Sequence, residues 1–145
     1  MLLLAIAAAL QAVPAPASST PLCIGGAQVS AREDCPRFVF FDSAGVEVRR
    51  EWQEVLDAAA ARMRELQGAR VTVVGHSDRS GPTGANRRVS LARANLIRDA
   101  LITRGVAADS ITVEGHGEQQ PLIATEDGVR EPQNRRVEIR ISSAP

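Results

Sequence analysis

The chain has 145 residues, enough for one domain with an appendage. Its 17 acidic residues balance 17 basic ones, every basic residue is arginine, and all of these charges lie from Arg32 onward. A neutral chain with one Trp, three Phe and no Tyr lacks the basic field that grips nucleic acid or anionic membranes, and it lacks the aromatic platforms on which bases stack.

The chain opens on an uninterrupted apolar run, MLLLAIAAAL, shorter than the roughly 20 residues needed to cross a bilayer. Ala15-Pro16-Ala17 follows, with small residues where a signal peptidase reads, so residues 1–17 are expected to be a cleaved secretory signal. No Lys or Arg precedes the run, and an uncleaved anchor is the alternative. Residues 18–36 are rich in Ser, Pro, Gly and Ala and are expected to be a linker. The linker carries both cysteines, Cys23 and Cys35. An even count in an exported chain predicts a disulfide, closing a loop of about 12 residues and worth roughly 2–3 kcal/mol. Lipidation of Cys23 is the competing expectation, but the bulky Leu22 before it is a poor match for that modification.

Arg37 to Phe41 (RFVFF) is rich in β-formers and predicts a strand, broken by Asp42-Ser43-Ala44-Gly45. From Glu51 to Gln67, the residues Trp52, Val55, Leu56, Ala59, Ala60, Met63 and Leu66 recur at spacings of three and four, predicting a helix with one core-facing stripe that Gly68 ends. Arg70 to His76 predicts a second strand, with Val71 and Val73 on one face and Thr72 and Val74 on the other. A second helix is expected from about Asn86 to Arg104, buried through Val89, Ala92, Leu96, Ile97, Ala100 and Leu101. Ser110 to Gly115 predicts a third strand, and 117–134 a polar loop with one short helical turn. In Arg135 to Ile141 the alternation is strict: Val137, Ile139 and Ile141 are expected inside, and Arg136, Glu138 and Arg140 outside. Strands separated by helices imply a parallel pair. The expected fold is α/β, a two-layer βαβαββ sandwich with a mixed sheet and both helices on one face.

Ligand sites in such sheets gather at the carboxyl ends of strands. Asp78 lies just past one such end, and Arg93 lies in the helix that follows. An acid and an arginine held near one another suit a ligand carrying both ammonium and carboxylate, because each takes a charge-assisted hydrogen bond. A structural Asp78–Arg93 salt bridge is the alternative that the residues leave open.

Gly75-His76-Ser77-Asp78, Gly81, Asn86, Val89-Ser90 and Arg93-Ala94 occur in order, followed by Gly115-His116-Gly117-Glu118, Pro121 and Asn134-Arg135-Arg136-Val137-Glu138-Ile139. Together these blocks resemble the OmpA-like peptidoglycan-binding domain over residues 37–141, and the domain is assigned to 37–145. The resemblance implies non-covalent binding of peptidoglycan through the diaminopimelate of its stem peptide. Asp78 and Arg93 match the family's paired acid and arginine. Asn86 matches its loop asparagine, Arg135 its pocket-lining arginine, and Asp42 borders the same pocket. Ser77, Ala85 and Ala92 depart from residues common in the family, without touching the acid–arginine pair. The resemblance implies a periplasmic module on the cell wall or outer membrane, with peptidoglycan and other envelope proteins as partners, no nucleic acid, no cofactor and no catalysis. The alternatives are an envelope protein-interaction module without that ligand, or a hydrolase using Asp78 and Glu118 as paired carboxylates. His76 and His116 each follow a glycine at a strand end and are expected to pack there rather than bind metal. Neither glycine cluster has phosphate-loop spacing, and Arg87-Arg88 is expected to be a solvated helix face.

Overall fold

The structure, a computed structural model, describes residues 35–43 and 45–144. The expected signal segment and Cys23 lie outside the described residues, as does most of the linker. β1 (Arg37–Phe40) leads through a 3-10 turn (Arg50–Trp52) into α1 (Gln53–Glu65) and β2 (Arg70–Gly75). α2 (Thr83–Thr103), β3 (Ile111–Gly115), a second 3-10 turn (Pro132–Asn134) and β4 (Arg136–Ser142) follow. The sheet order is β1-β4-β2-β3. β4 runs antiparallel to both neighbours, while β2 and β3, joined through α2, are parallel. This is the mixed two-layer sandwich expected, and among the described residues no helix is long and apolar enough to cross a membrane.

One core fills the space between the helices and one face of the sheet. Val39, Val71, Val73, Val137, Ile139 and Ile141 meet Leu56, Ala59 and Ala60 of α1 and Ala94, Ile97 and Leu101 of α2. Alanines at the helix positions let the helix axes approach the sheet closely. Trp52, Met63 and Leu66 pack partly buried against this core, as their spacing predicts.

α2 differs from expectation at its start and along its buried stripe. It begins at Thr83, because Pro82 at φ −60° is already set for helix entry. Asn86 therefore sits inside the first turn rather than capping it. The buried residues are Asn86, Ser90, Arg93, Ala94, Ile97 and Leu101, while Ala92 is exposed and Val89, Leu96 and Ala100 are only half-buried. Half of the buried face is thus polar, and a count of apolar residues places the stripe too far round. The helix ends in a Schellman motif: the Val106 N–H donates to the Leu101 carbonyl and the Gly105 N–H to that of Ile102, with Gly105 at φ +92°.

α2 crosses the end of the parallel pair at contact distance. Gly75 and Gly115 are register partners. A Cβ on Gly75 would lie 1.8 Å from the Ser90 carbonyl oxygen, and one on Gly115 would lie 2.8 Å from the Leu91 Cβ. The two Gly-His steps of the sequence therefore mark where the helix backbone rests on the strands. Gly75→Ala is expected to cost more than about 3 kcal/mol or to abolish folding, because backbone atoms must separate. Gly84→Ala, on the exposed first turn of α2 with only Arg88 near, is expected to be neutral or to stabilise by up to about 1 kcal/mol. Thermal denaturation of the two variants checks the contrast.

Candidate functional site

The buried polar stripe of α2 leads to the carboxyl ends of β1 and β2. Arg93, 1% exposed, is the largest fully buried side chain among the described residues. Its Nε donates to the Gly45 carbonyl and its Nη2 to that of Asp42, both at 3.1 Å. Longer contacts of 3.5 Å reach the carbonyls of Ser43 and His76. Its guanidinium carbon lies 5.3 Å from the Phe41 ring centroid. Arg93 thus gathers the turn after β1 around itself. Burial, then the neighbouring Arg135, lowers its pKa to about 10, with Asp78 opposing, so it remains charged at neutral pH.

Asp78 is 4% exposed and carries a full set of donors. Ser80 supplies its hydroxyl at 2.6 Å and its N–H at 3.2 Å to Oδ1, an Asx turn written locally as Asp-x-Ser. The Glu131 N–H and Arg135 Nη1 reach Oδ2 at 3.2 and 3.0 Å. Burial pushes the carboxyl up, but the hydrogen bonds from Ser80, Arg135 and Glu131 outweigh it and hold the pKa below its ordinary value. Asp78 therefore forms its ion pair with Arg135, and the Asp78–Arg93 salt bridge entertained from sequence is not formed. Arg135 also donates from Nε to the Phe41 carbonyl, tying β4 to the end of β1.

Of the five expected ligand residues, the structure gathers Asp78, Arg93 and Arg135 with the Asp42 backbone. The Asp42 side chain points outward, 71% exposed, and pairs with Arg49 at 3.0 Å. Asn86 serves a neighbouring junction, donating to the Gly81 carbonyl and to Glu118, which also accepts from the Thr83 hydroxyl. Arg87 and Arg88 are solvated as expected.

The second face of the sheet holds a group that alternation alone assigns to solvent. Arg136 and Glu138 are 3% and 6% exposed, not outside; only Arg140 is. Arg136 donates to Glu138 Oε1 through Nε and Nη2 at 3.1 and 2.7 Å, and Arg140 engages Oε2. His76 lies 3.4 Å from the same carboxylate and packs edge-on against His116 at 5.6 Å. The backbone of Gln120, from the 117–134 loop, caps Arg136. Alternation defines two faces but says nothing of a loop covering the second. Burial, then the Arg136 charge, lowers the His76 pKa to about 4, although Glu138 acts in the opposite direction. Among the described residues no group of three or more ligating side chains could hold a metal ion.

The OmpA family model matches residues 40–135. An outer membrane protein of Gluconacetobacter diazotrophicus is 39% identical over 107 residues, 70% of this chain and 28% of its own length. The peptidoglycan-binding protein ArfA of Mycobacterium tuberculosis is 32% identical over 132 residues, 91% of this chain and 40% of its own. The chain thus spans less than half of either relative. Among solved structures, the peptidoglycan-associated lipoprotein from Burkholderia pseudomallei superposes with a TM-score of 0.68 at 24% identity, covering 73% of this chain and 90% of that one. The cell wall anchor of the type VI secretion system from Pseudomonas aeruginosa superposes at 0.58 with 34% identity, covering 73% and 76%.

Two outcomes follow from this geometry. Arg93→Ala strands the carbonyls of Asp42 and Gly45 and is expected to cost roughly 2–4 kcal/mol in urea denaturation, whereas Arg87→Ala on the solvated face stays within about 0.5 kcal/mol. His76 is held neutral in the folded state, so the unfolded chain takes up the proton first. Its stabilising contribution is complete above pH 6.5, falls as the pH drops towards 4 and levels off below that. An NMR titration of the His76 imidazole checks the folded midpoint.

Proposed function

Because the chain belongs to the OmpA family, we propose that it binds peptidoglycan non-covalently, through the diaminopimelate of the stem peptide, and so anchors or organises the cell envelope. The observation that carries this is one buried carboxylate, Asp78, set beside two guanidinia, Arg93 and Arg135, where β1, β2 and β4 converge. The free end of diaminopimelate bears an ammonium and a carboxylate on one carbon. In the bound complex Asp78 takes the ammonium and Arg93 the carboxylate, and Arg135 flanks both.

Binding exchanges partners that the protein already provides. The ammonium takes Arg135's place on Asp78 Oδ2. A ligand carboxylate replaces neutral carbonyls on Arg93, two of them already at a long 3.5 Å, and charge-assisted bonds are about twice as strong as neutral ones. Asn86 holds the loop and Asp42 borders the opening. The names of ArfA and of the secretion-system wall anchor support this assignment, and the reading places the module in the periplasm against the wall or outer membrane, exported by the expected leader at 1–17 and carrying the expected Cys23–Cys35 disulfide. We read the module as one that binds rather than catalyses: Glu118, the second carboxylate a hydrolase would use, is held by Asn86 and Thr83 at the neighbouring junction. One site per stem is a small contact, and many stems on one polymer strengthen it.

A second reading, an interaction module for envelope proteins that uses no peptidoglycan ligand, is favoured by one observation: Asp78 and Arg93 are each fully bonded internally. Co-sedimentation with insoluble peptidoglycan separates the two. The wild-type chain is expected to pellet and to be released by free diaminopimelate. Asp78→Asn, nearly isosteric, is expected to weaken pelleting at least about tenfold, the loss of one charge-assisted bond, with an unchanged circular dichroism spectrum. Wild-type protein that stays in the supernatant would favour the interaction module, and pelleting that diaminopimelate does not displace would overturn the diaminopimelate assignment.

A further inference from the structure

We propose that Arg79 is a positioning residue for Asp78: it clasps the loop between β3 and β4 so that the Glu131 N–H holds the carboxylate in place. What Asp78 binds rests on the peptidoglycan reading above; how Asp78 is set does not.

Arg79 follows Asp78 directly, and three of its groups end on one turn of the loop. Nη1 donates to the Thr125 carbonyl at 2.9 Å, and Nη2 pairs with Asp127. The Arg79 carbonyl accepts the Gly128 N–H at 2.8 Å. Gly128 stands at φ +80°, and the Val129 N–H closes the turn on the Glu126 carbonyl. Among the described residues, every hydrogen bond or ion pair from 125–128 to the rest of the domain ends on Arg79. Residues 126–130 are exposed, so no buried apolar surface fixes the turn and its polar ties decide its place. The half-buried bond to Thr125 carries more of this than the Asp127 pair, because Asp127 is 85% exposed and its charge is screened.

Three residues past Gly128, the chain delivers the Glu131 N–H to Asp78 Oδ2 at 3.2 Å. The Glu131 side chain then caps the Pro132–Asn134 turn through the Gln133 N–H. That turn leads into Arg135, the other donor on Oδ2. The clasped turn therefore sets the approach of both groups to one oxygen. An ammonium that displaces Arg135 leaves the Glu131 N–H where it is, so the clasp also aims the carboxylate in the bound state.

Two measurements without ligand read the clasp: a carbon-13 NMR titration of the Asp78 carboxyl and the exchange rate of the Glu131 amide. In Arg79→Ala the Asp78 midpoint is expected to rise towards the ordinary aspartate value, because a hydrogen bond to the charged form is lost. The Glu131 amide is expected to exchange at least about tenfold faster. Affinity for diaminopimelate is expected to fall about fivefold, the loss of one hydrogen bond. Arg79→Lys keeps the charge without the two-pronged fork, and is expected to recover part of all three. A merely structural role would lower the melting temperature and leave the Asp78 midpoint unmoved, and that result overturns the proposal. If Arg79→Lys restores the midpoint while the Glu131 amide stays fast, the effect is one of charge alone and the proposal also falls. If midpoint and exchange both move but the wild-type protein binds no diaminopimelate, the ligand assignment fails and the positioning of Asp78 by Arg79 stands.

Discussion

A guanidinium sits where a helix-on-sheet core would ordinarily place a leucine, and the upper end of the domain is arranged around it. Arg93 is buried against the sheet, and burying a charge is tolerable only when its donors are satisfied. The carbonyls that satisfy it come from the turn after β1 and the end of β2. That requirement fixes the path of the chain from Phe41 to Gly45. It also places Phe41 beneath the guanidinium and leaves Arg135, the next cation along, to pair with Asp78. A hydrophobic residue at position 93 would pack as well, but it would leave the turn without an anchor.

The second constraint is contact between backbones. Gly75 and Gly115 let α2 press onto the parallel strands, so Ser90 can donate its hydroxyl to the Arg87 carbonyl and accept from the Gly117 N–H. Strand ends, helix and the start of the long loop thereby become one rigid unit. Asp78 and Arg93 keep a fixed separation because they leave this unit from the strand side and the helix side.

Much of this was legible in the sequence because periodicity reports burial. The four strands, two helices, helix-ending glycines and short turn before β4 all lie within a few residues of their expected places. Three things were not legible. Polar residues on the buried face of α2 escape a count of apolar positions, so such a count puts Ala92 inside and omits Ser90. Arg136 and Glu138 alternate like a solvated strand face, and nothing local announces that Gln120 and its loop come to cover them. The partner of Asp78 depends on distance in space: Arg93 is 15 positions away and Arg135 is 57, yet β4 lies beside β2 and brings the farther one closer. The Asp-x-Ser turn at Asp78 is a local signal in the sequence, and its two hydrogen bonds to Oδ1 explain why the carboxylate is held still.

The strand directions also set how the domain bears load. β1 begins at Arg37 opposite Ile139 and ends at Phe40 opposite Arg136, so Arg37 and the last residues of β4 lie at the pole away from Arg135, Asp78 and Arg93. Tension between a ligand at one pole and the chain entering at the other runs along β1. Its hydrogen bonds to β4 would then be strained together in shear, not opened one after another from an end. A short edge strand pulled lengthwise in this way resists as a block, so the sheet topology suits the domain to carry tension along β1.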